Sequence, residues 1–210
     1  MPTTMIQTID TSEIHFGKAV HTRPSNNGKY VETTYRGQRN PVFQLCKSSE
    51  SIRAPFGISA PYGGGEGRSD VQLNAPPELV AKVQELEERL IATAVENTQQ
   101  WFGRKLDEGT VRAMHSSLIK TSAKYEPTLK IKVDPSNVKL WKADDRSPMT
   151  KDELLPGFSI TPAVFLGSVW FMGKSQFGLT LGLKGGLVTP VSSFGLDDFV
   201  MDEEEMLIED

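Results

Sequence analysis

The sequence predicts a mainly β protein of the α+β class, built on antiparallel sheet with one long inserted helix. Short segments in which apolar and polar residues alternate recur in both halves of the chain, as in half-buried strands. One stretch, about 77–106, instead has its apolar residues at helical spacing. Strands, one helical insertion and strands again are typical of an α+β chain.

The N-terminal part of the chain supplies four candidate strands. Residues 1–40 are polar, and we treat them as a separate N-terminal segment that holds candidate first strands. The segment 52–58 is interrupted by Pro55, which cannot donate to a strand ladder. The candidate strands are Ile14–Gly17, Tyr30–Tyr35, Pro41–Cys46 and Ile52–Ile58.

The long helix is expected at about 77–106. Pro77 suits a first helical position, and Glu78 places an acidic side chain in the first turn. Gly103 is a plausible stop, and a shorter helix is expected at 108–118. The apolar stripe consists of Leu79, Val83, Leu86, Leu90 and Ala94.

Strands return after the helices. In Thr128–Val133 the apolar residues alternate strictly with Lys130 and Lys132, which predicts a strand with one basic face. Residues 163–172 and 177–183, joined by Gly173–Gln176, predict a β-hairpin, and 138–142 predicts a further strand. We assign these elements to one β domain, residues 41–194.

The remaining residues, 195–210, form an acidic C-terminal tail. They hold eight of the 27 acidic residues and no Lys or Arg, so the rest of the chain has 19 acids against 23 bases. Such a tail is either a disordered solubilising end or a peptide that competes with a polyanion for a basic surface. Interspersed apolar residues favour a docking peptide, whose candidate residues are Phe199, Asp202, Glu203, Glu204, Glu205, Leu207 and Ile208.

The sequence contains no recognisable catalytic constellation. Three scattered histidines and one cysteine do not make a zinc site, and the single Cys46 lies in an apolar segment typical of a core. The glycine cluster 63–67 lacks the Gly-Lys-Ser/Thr of a phosphate loop. We therefore expect no enzyme activity, no metal and no cofactor.

With neither a secretory signal nor an apolar run of spanning length, we expect an intracellular protein without membrane contact.

Aromatic residues beside basic ones are the recurring chemical pattern. Single-stranded nucleic acid binding needs this pairing, because rings stack on bases while cations follow the phosphates. Tyr35 and Trp141, with polar neighbours, are expected as platforms, whereas Trp170 and Phe171 are expected in the core. The candidate binding residues are Tyr30, Tyr35, Arg36, Arg39, Arg53, Arg104, Lys105, Lys124, Tyr125, Lys130, Lys132, Trp141, Lys142 and Lys174.

A succession of motifs, closed by the acidic tail, gives the chain a family resemblance. It resembles the OB-fold single-stranded DNA-binding proteins of short-tailed bacteriophages and their relatives in large nucleocytoplasmic DNA viruses. The tail departs from the phage pattern in ending on Leu207–Asp210, with Phe199 set back. The motifs are Arg53–Ser59, Glu96–Lys105, Tyr125–Lys132 and Val169–Phe171 with Lys174, Phe177 and Gly178.

The resemblance implies a five-stranded antiparallel OB-fold barrel with an inserted helix and no catalytic activity. It implies binding of single-stranded DNA at replication sites of an infected cell, in replication, recombination or repair. It also implies that the tail contacts replication proteins such as a polymerase, helicase or primase. Homo-oligomerisation stays open. Two alternatives remain: a replication accessory or scaffold that does not bind DNA, and a β-rich virion structural protein.

Overall fold

The computed structural model describes residues 4–24, 27–61 and 69–191. The whole glycine cluster 63–67 and the whole acidic tail, with its candidate residues from Phe199 to Ile208, lie outside the described residues. The described helices are α1 (Pro77–Glu96), α2 (Thr98–Phe102) and α3 (Glu108–Met114). The strands are β1 (Thr4–Met5), β2 (Ile14–Thr22), β3 (Lys29–Tyr35), β4 (Gln38–Arg39), β5 (Val42–Gln44), β6 (Ile52–Arg53), β7 (Ser69–Asn74), β8 (Ile119–Lys120), β9 (Thr128–Val133), β10 (Lys139–Lys142), β11 (Pro148–Met149), β12 (Ser159–Met172) and β13 (Gln176–Thr189).

A long hairpin, β12–β13, is the centre of the sheet. Each strand has 14 residues, and they pair from Ser159–Thr189 at the open end to Met172–Gln176 beside the turn. Gly173 in the turn has a φ of +58°, which suits a residue without a Cβ. On its free side β12 pairs with β3, β5 and β6, and β13 pairs with β9 and β10. The hairpin therefore collects strands from the whole length of the chain.

The predicted fold class is confirmed in part. The described chain is mainly β, and the helices are inserted between β7 and β8, as expected. The predicted closed barrel is not observed: the sheet is open, in the order β1-β5-β12-β13-β10-β11, with the remaining strands attached beside this path. Along β13, β9 contributes only the single pair Lys132–Gly182, and β10 pairs with β13 from Gly185 onward.

The long helix is shorter than predicted and is divided. α1 ends at Glu96, because Asn97 leaves helical geometry (φ −113°, ψ 23°) while its side-chain amide donates to the Thr93 carbonyl oxygen at 2.8 Å. α2 then ends at Phe102, and Gly103 closes it with a φ of +72°, so the predicted extension to 106 is wrong. α3 likewise ends at Met114, before the expected 118.

Part of the polar segment 1–40 belongs to the same core as the rest of the described chain. β2 and β3, the candidate first strands, pair with each other, and β3 joins β12 through Val31–Val169. Ile6 and Ile14 are buried in the common hydrophobic cluster. Alternation explains the polar composition, since only every second residue of β3 faces this core. The boundary at residue 40 stays a prediction.

Candidate nucleic-acid interface

The two faces of β13 differ in side-chain size. Leu179, Leu181 and Leu183 point into the hydrophobic core, and all three are buried. The residues between them, Gly178, Thr180 and Gly182, therefore lie on the opposite face, because successive side chains of a strand alternate. This second face, which β13 shares with the cross-strand residues of β12, leaves space above the backbone for large neighbours.

Two aromatic rings of β12 fill that space. A Cβ atom placed on Gly178 would lie 2.8 Å from Cζ2 of Trp170, and one placed on Gly182 would overlap the ring of Phe165. Both rings thus lie on the glycine backbone opposite them in the hairpin. The Trp170 indole is fixed further, because its Nε1–H donates to the Leu179 carbonyl oxygen at 3.2 Å. Both side chains are half-buried, so part of each ring reaches solvent.

Near the turn of the hairpin, β3 and β2 extend the row of rings. Tyr30 is the cross-strand partner of Trp170, and His21 is the partner of Tyr30. The His21 and Tyr30 ring centroids are 5.3 Å apart. The Arg23 guanidinium lies 5.2 Å from the Tyr30 ring centroid and donates to Ser168 Oγ at 2.8 Å. This end therefore combines rings with a cation held over one of them.

At the open end of the hairpin, Trp141 presents an exposed ring. Its side chain is 37% exposed, and its Cζ3 would lie 3.4 Å from a Cβ on Gly185. Lys139, the cross-strand partner of Gly185, precedes it on the same side of β10 and is exposed. The exposed Arg53 pairs with Ser159 at the start of β12, on the same face by alternation. Trp141 therefore lies at the surface and not in the core, and its role as a platform stays a prediction.

In the middle, Lys130 and Lys132 share one carboxylate. The carboxylate of Asp70, whose side chain is only 8% exposed, lies 2.8 Å from the ammonium nitrogen of each lysine. Lys132 is the cross-strand partner of both Asp70 and Gly182, which places the cluster beside Phe165. The sequence predicted a strand with two cationic side chains, whereas the structure shows two cations anchored by a buried anion. The local net charge is therefore lower than predicted.

We call this surface the outer face. Its rings could stack on bases, and its cations could contact phosphates, whereas nothing in its composition requires a particular base. Its rings are Tyr30, Trp141, Phe165 and Trp170, and its cations are Arg23, Arg53, Lys130, Lys132 and Lys139.

Tyr35 is not on the outer face, so its expected platform role is wrong. It is 8% exposed and packs edge to face on Phe43 at 5.4 Å between ring centroids. It follows Val31 and Thr33 on the inward side of β3, while Tyr30 has the opposite parity. The polar neighbours of Tyr35 suggested that its side chain is exposed. In the structure those neighbours are the outward-facing residues of β3, and Tyr35 faces inward.

Five other predicted residues lie apart from the outer face. Arg36 is paired with Glu13, and Arg39 is paired with Glu32 at 2.8 Å. Lys124 and Tyr125 belong to the loop before β9, where Tyr125 contacts Phe56 at 6.4 Å between ring centroids. Lys142 follows Trp141 and therefore points to the other side of β10.

Arg104 and Lys174 line a separate cleft at the turn of the hairpin, while Lys105 is exposed next to it.

Sequence reasoning missed Phe165, Arg23 and Lys139, and it placed Trp170 in the core. Phe171 does pack against the core, as expected. The signal that could have found these rings lies across the hairpin. Trp170 and Phe165 are each opposite a glycine of β13, and the pattern of β12 alone does not show this. Counting outward from the predicted turn 173–176 would pair Trp170 with Leu179. In the structure the turn holds only residues 173–175, so Trp170 pairs with Gly178.

Metal ligands and the single cysteine can be assessed in the described residues. Among residues 4–24, 27–61 and 69–191, no group of three or more His, Cys, Asp or Glu side chains could hold a metal ion. Cys46 is buried, and burial raises the pKa of its thiol to about 11, so it is not a thiolate near neutral pH. No helix in this part of the chain is both long and apolar enough to cross a bilayer.

Comparison with known proteins identifies a fold. No protein-family model and no curated protein matches the sequence. The solved structure of gp2.5, a single-stranded DNA-binding protein encoded by bacteriophage T7, matches with a TM-score of 0.50 and 14% identity, over 77% of this chain and 98% of that one. The single-stranded DNA-binding protein of bacteriophage Enc34, truncated at its C-terminus, matches at 0.43 and 13%, over 83% and 96%.

The Enc34 protein in complex with single-stranded DNA matches at 0.39 and 12%, over 84% and 98%. At such identities only the fold is shared, and it rests on the first of these matches. The resemblance predicted from the sequence is confirmed at that level: the chain has the fold of the phage T7 single-stranded DNA-binding protein.

Proposed function

We propose that the protein binds single-stranded DNA without sequence preference along its outer face. The observation that carries the proposal is the row of half-exposed rings seated on glycines of β13, with cations on both sides. Base stacking on an aromatic ring contributes about 1–3 kcal/mol per base and tolerates any base. Phosphate contacts from lysine and arginine add affinity but read no sequence.

The rings are positioned before DNA arrives. Trp170 and Phe165 lie on backbone, and the Trp170 indole is hydrogen bonded, so little side-chain freedom is lost on binding. From Gly178 to Gly185 the strand advances about 23 Å at roughly 3.3 Å per residue. At about 3.4 Å per nucleotide of one strand this length corresponds to about seven nucleotides. That number lies within the site size of about 4–16 nucleotides per OB fold. Domain 41–194, together with β2 and β3, is the binding unit in this proposal.

The acidic tail, residues 195–210, is the proposed competitor and recruiting peptide. The last described residue, Val191, lies near Gly157 and Arg53: a Cβ on Gly157 would be 3.5 Å from Val191 Cγ2 and 3.6 Å from Arg53 Nη2. The described part of the chain therefore ends beside a cation at one end of the outer face. Tethering gives the eight carboxylates a high effective concentration there. Its apolar residues would contact a polymerase, helicase or primase.

In this proposal the protein coats single strands in replication, recombination or repair within an infected cell, and it performs no catalysis itself. Relatives in large nucleocytoplasmic DNA viruses and homo-oligomerisation remain predictions.

A titration tests the proposal. Affinity for oligo-dT and for a duplex of equal length is measured by anisotropy over a range of salt concentrations. We expect preference for the single strand and a log-log salt slope on the order of −2 to −4, because few cations face the strand. Equal affinity for both nucleic acids at moderate salt would contradict the proposal.

A second candidate is a replication accessory or scaffold that binds protein and not DNA. One observation favours it: Phe56 and Tyr125 are 54% and 66% exposed and form an edge-to-face pair away from the outer face. Exposed aromatic residues of this kind are enriched at protein interfaces. The same titration separates this candidate, and the virion-protein alternative, from the first, since neither predicts salt-dependent binding of oligo-dT.

A further inference from the structure

A second concave site lies at the turn of the β12–β13 hairpin. It is a cleft of about 260 Å³ between α2 and the adjoining ends of β2, β3 and β12. It is distinct from the outer face, because Phe171 and Lys29, which line it, alternate with Trp170 and Tyr30. The lining residues are Val20, Lys29, Gln100, Trp101, Phe102, Gly103, Arg104, Phe171, Gly173 and Lys174.

Aromatic rings form the apolar part of the cleft. Trp101 and Phe102 each contact Phe171 edge to face, at 5.8 and 5.7 Å between ring centroids. The Trp101 Nε1–H donates to the Gly17 carbonyl oxygen at 3.2 Å, which ties the indole to β2. Gly103 ends α2 with a φ of +72° and turns the chain so that Arg104 follows at the edge of the cleft. The ring positions are therefore fixed by both strands and helix.

Three cations surround these rings. Lys29, Arg104 and Lys174 are exposed, and their side chains have no hydrogen bond or ion pair with other described residues. Lys130 and Lys132 differ from them, since both are anchored by Asp70. A cluster of three cations without a carboxylate among the residues of the cleft favours an anionic ligand.

The cleft continues the outer face around the hairpin turn. Trp170 and Tyr30 are a cross-strand pair at the end of the outer face, and Phe171 and Lys29 are the next pair toward the turn. A nucleic acid strand that passes Trp170 in this direction reaches Lys174 and the cleft next. This continuity favours a nucleotide of the same strand over an unrelated ligand.

We propose that the cleft is a subsite for one nucleotide of single-stranded nucleic acid, beyond those on the outer face. The base packs against the half-buried ring of Phe171, which the buried Trp101 supports from behind, and the phosphate lies among Lys29, Arg104 and Lys174. The volume is below the roughly 300–1,000 Å³ of pockets for drug-sized ligands, so it admits one base. This inference rests on the proposed function. It adds that the cleft is the place where the bound strand ends on the protein.

Oligonucleotide length provides the test. Affinities are measured for oligo-dT lengthened one nucleotide at a time, with the full-length protein and with the double variant Arg104→Ala/Lys174→Ala. Both side chains are exposed and unpaired with described residues, so the variant is expected to fold. We expect a loss of about 5- to 30-fold for long oligonucleotides and almost none for those too short to pass Trp170.

The matched control is Lys105→Ala/Lys124→Ala, which removes the same charge from exposed residues that do not line the cleft. It should change affinity equally little at every length. A second readout uses 2-aminopurine at either end of a long oligonucleotide. Its fluorescence should be quenched at one end only, and the cleft variant should restore it.

The outcomes are distinguishable. If the unmodified protein binds no oligo-dT, the proposed function fails and the subsite fails with it. If it binds, but the cleft variant loses affinity equally at all lengths or at none, only the subsite is overturned. If the variant instead loses binding of a synthetic peptide of residues 195–210 and keeps the length dependence for DNA, the cleft is a peptide site and the proposal is wrong.

Discussion

The inner and outer faces of β13 are formed by alternate residues of the same strand, and they differ in the size of the side chains that β13 contributes. Leu179, Leu181 and Leu183 bury their side chains, whereas Gly178 and Gly182 on the other side have none to bury. On the inner face large residues of β13 supply the packing. On the outer face they are absent, so that rings from β12 can lie on the backbone. Glycine here provides a flat seat for aromatic rings rather than flexibility.

The largest effect should come from the inner face. Leu181 is fully buried, so Leu181→Ala should lower the free energy of unfolding by about 2–5 kcal/mol, measured by urea denaturation. Affinity for oligo-dT, measured where the variant is still folded, should be unchanged. A loss of affinity in the folded variant would mean that the two faces are not independent.

The next effect concerns the shared carboxylate. Lys130→Ala/Lys132→Ala should weaken DNA binding, but it also strips Asp70 of both cations. Breaking a buried pair costs about 3–5 kcal/mol, and partial exposure of the lysines reduces this to roughly 2–3 kcal/mol. Adding Asp70→Asn should restore stability without restoring affinity. If it restores neither, Asp70 has a role beyond anchoring the lysines.

Trp141→Ala tests the exposed ring at the open end of the hairpin. It should weaken oligo-dT binding by about 1–3 kcal/mol, because one stacking platform is lost. Its thermal midpoint should change little, since the ring lies outside the core. A large drop in the midpoint with intact affinity would place Trp141 among the packing residues and contradict the division of the faces.

His115 allows the inner side to be tested by pH. Burial lowers the pKa of His115 from 6.5 to about 4, and its ring lies 5.5 Å from that of Phe177. The unfolded chain binds this proton first, so stability should fall as the pH drops from about 6.5 toward 4. Because the ring is partly exposed, we expect His115→Gln to remove about 1 kcal/mol of this loss between pH 7 and 5.

The nearby Glu87 changes the stability with pH in the opposite direction. Burial raises the pKa of its carboxyl despite hydrogen bonds from Leu118 and Ser117, so its contribution is lost as the pH rises above 4.5. The two unfolding curves are therefore compared at each pH, since Glu87 is common to both. Identical pH dependence in the two proteins would show that His115 is not held neutral.

The smallest effect is expected at Arg39. It forms an exposed ion pair with Glu32, and such pairs contribute about 0.2–1 kcal/mol. Arg39→Ala should lower the free energy of unfolding by no more than this amount and leave the affinity for oligo-dT unchanged. A clear loss of affinity would extend the interface to β4.

The sequence predicted most of the architecture and five of the nine residues that form the outer face. Strict alternation located β9, and the hairpin was found because its predicted turn, 173–176, separates two apolar runs. Tyr35 and Trp170 were misplaced for one reason: whether a strand residue faces the core depends on what stands opposite it. The break at Asn97 and the Asp70 anchor depend on single hydrogen bonds and ion pairs, which periodicity does not encode.

The central position of the hairpin has a consequence for biosynthesis. β3, β5 and β6 all pair with β12, but β12 is among the last strands to be synthesised. At about 5–20 residues per second, the ribosome needs on the order of 10 s to proceed from Tyr35 to Ser159. During that interval the early strands present unpaired edges to other chains. Crowded, rapid expression is thus when this fold is most open to misassembly.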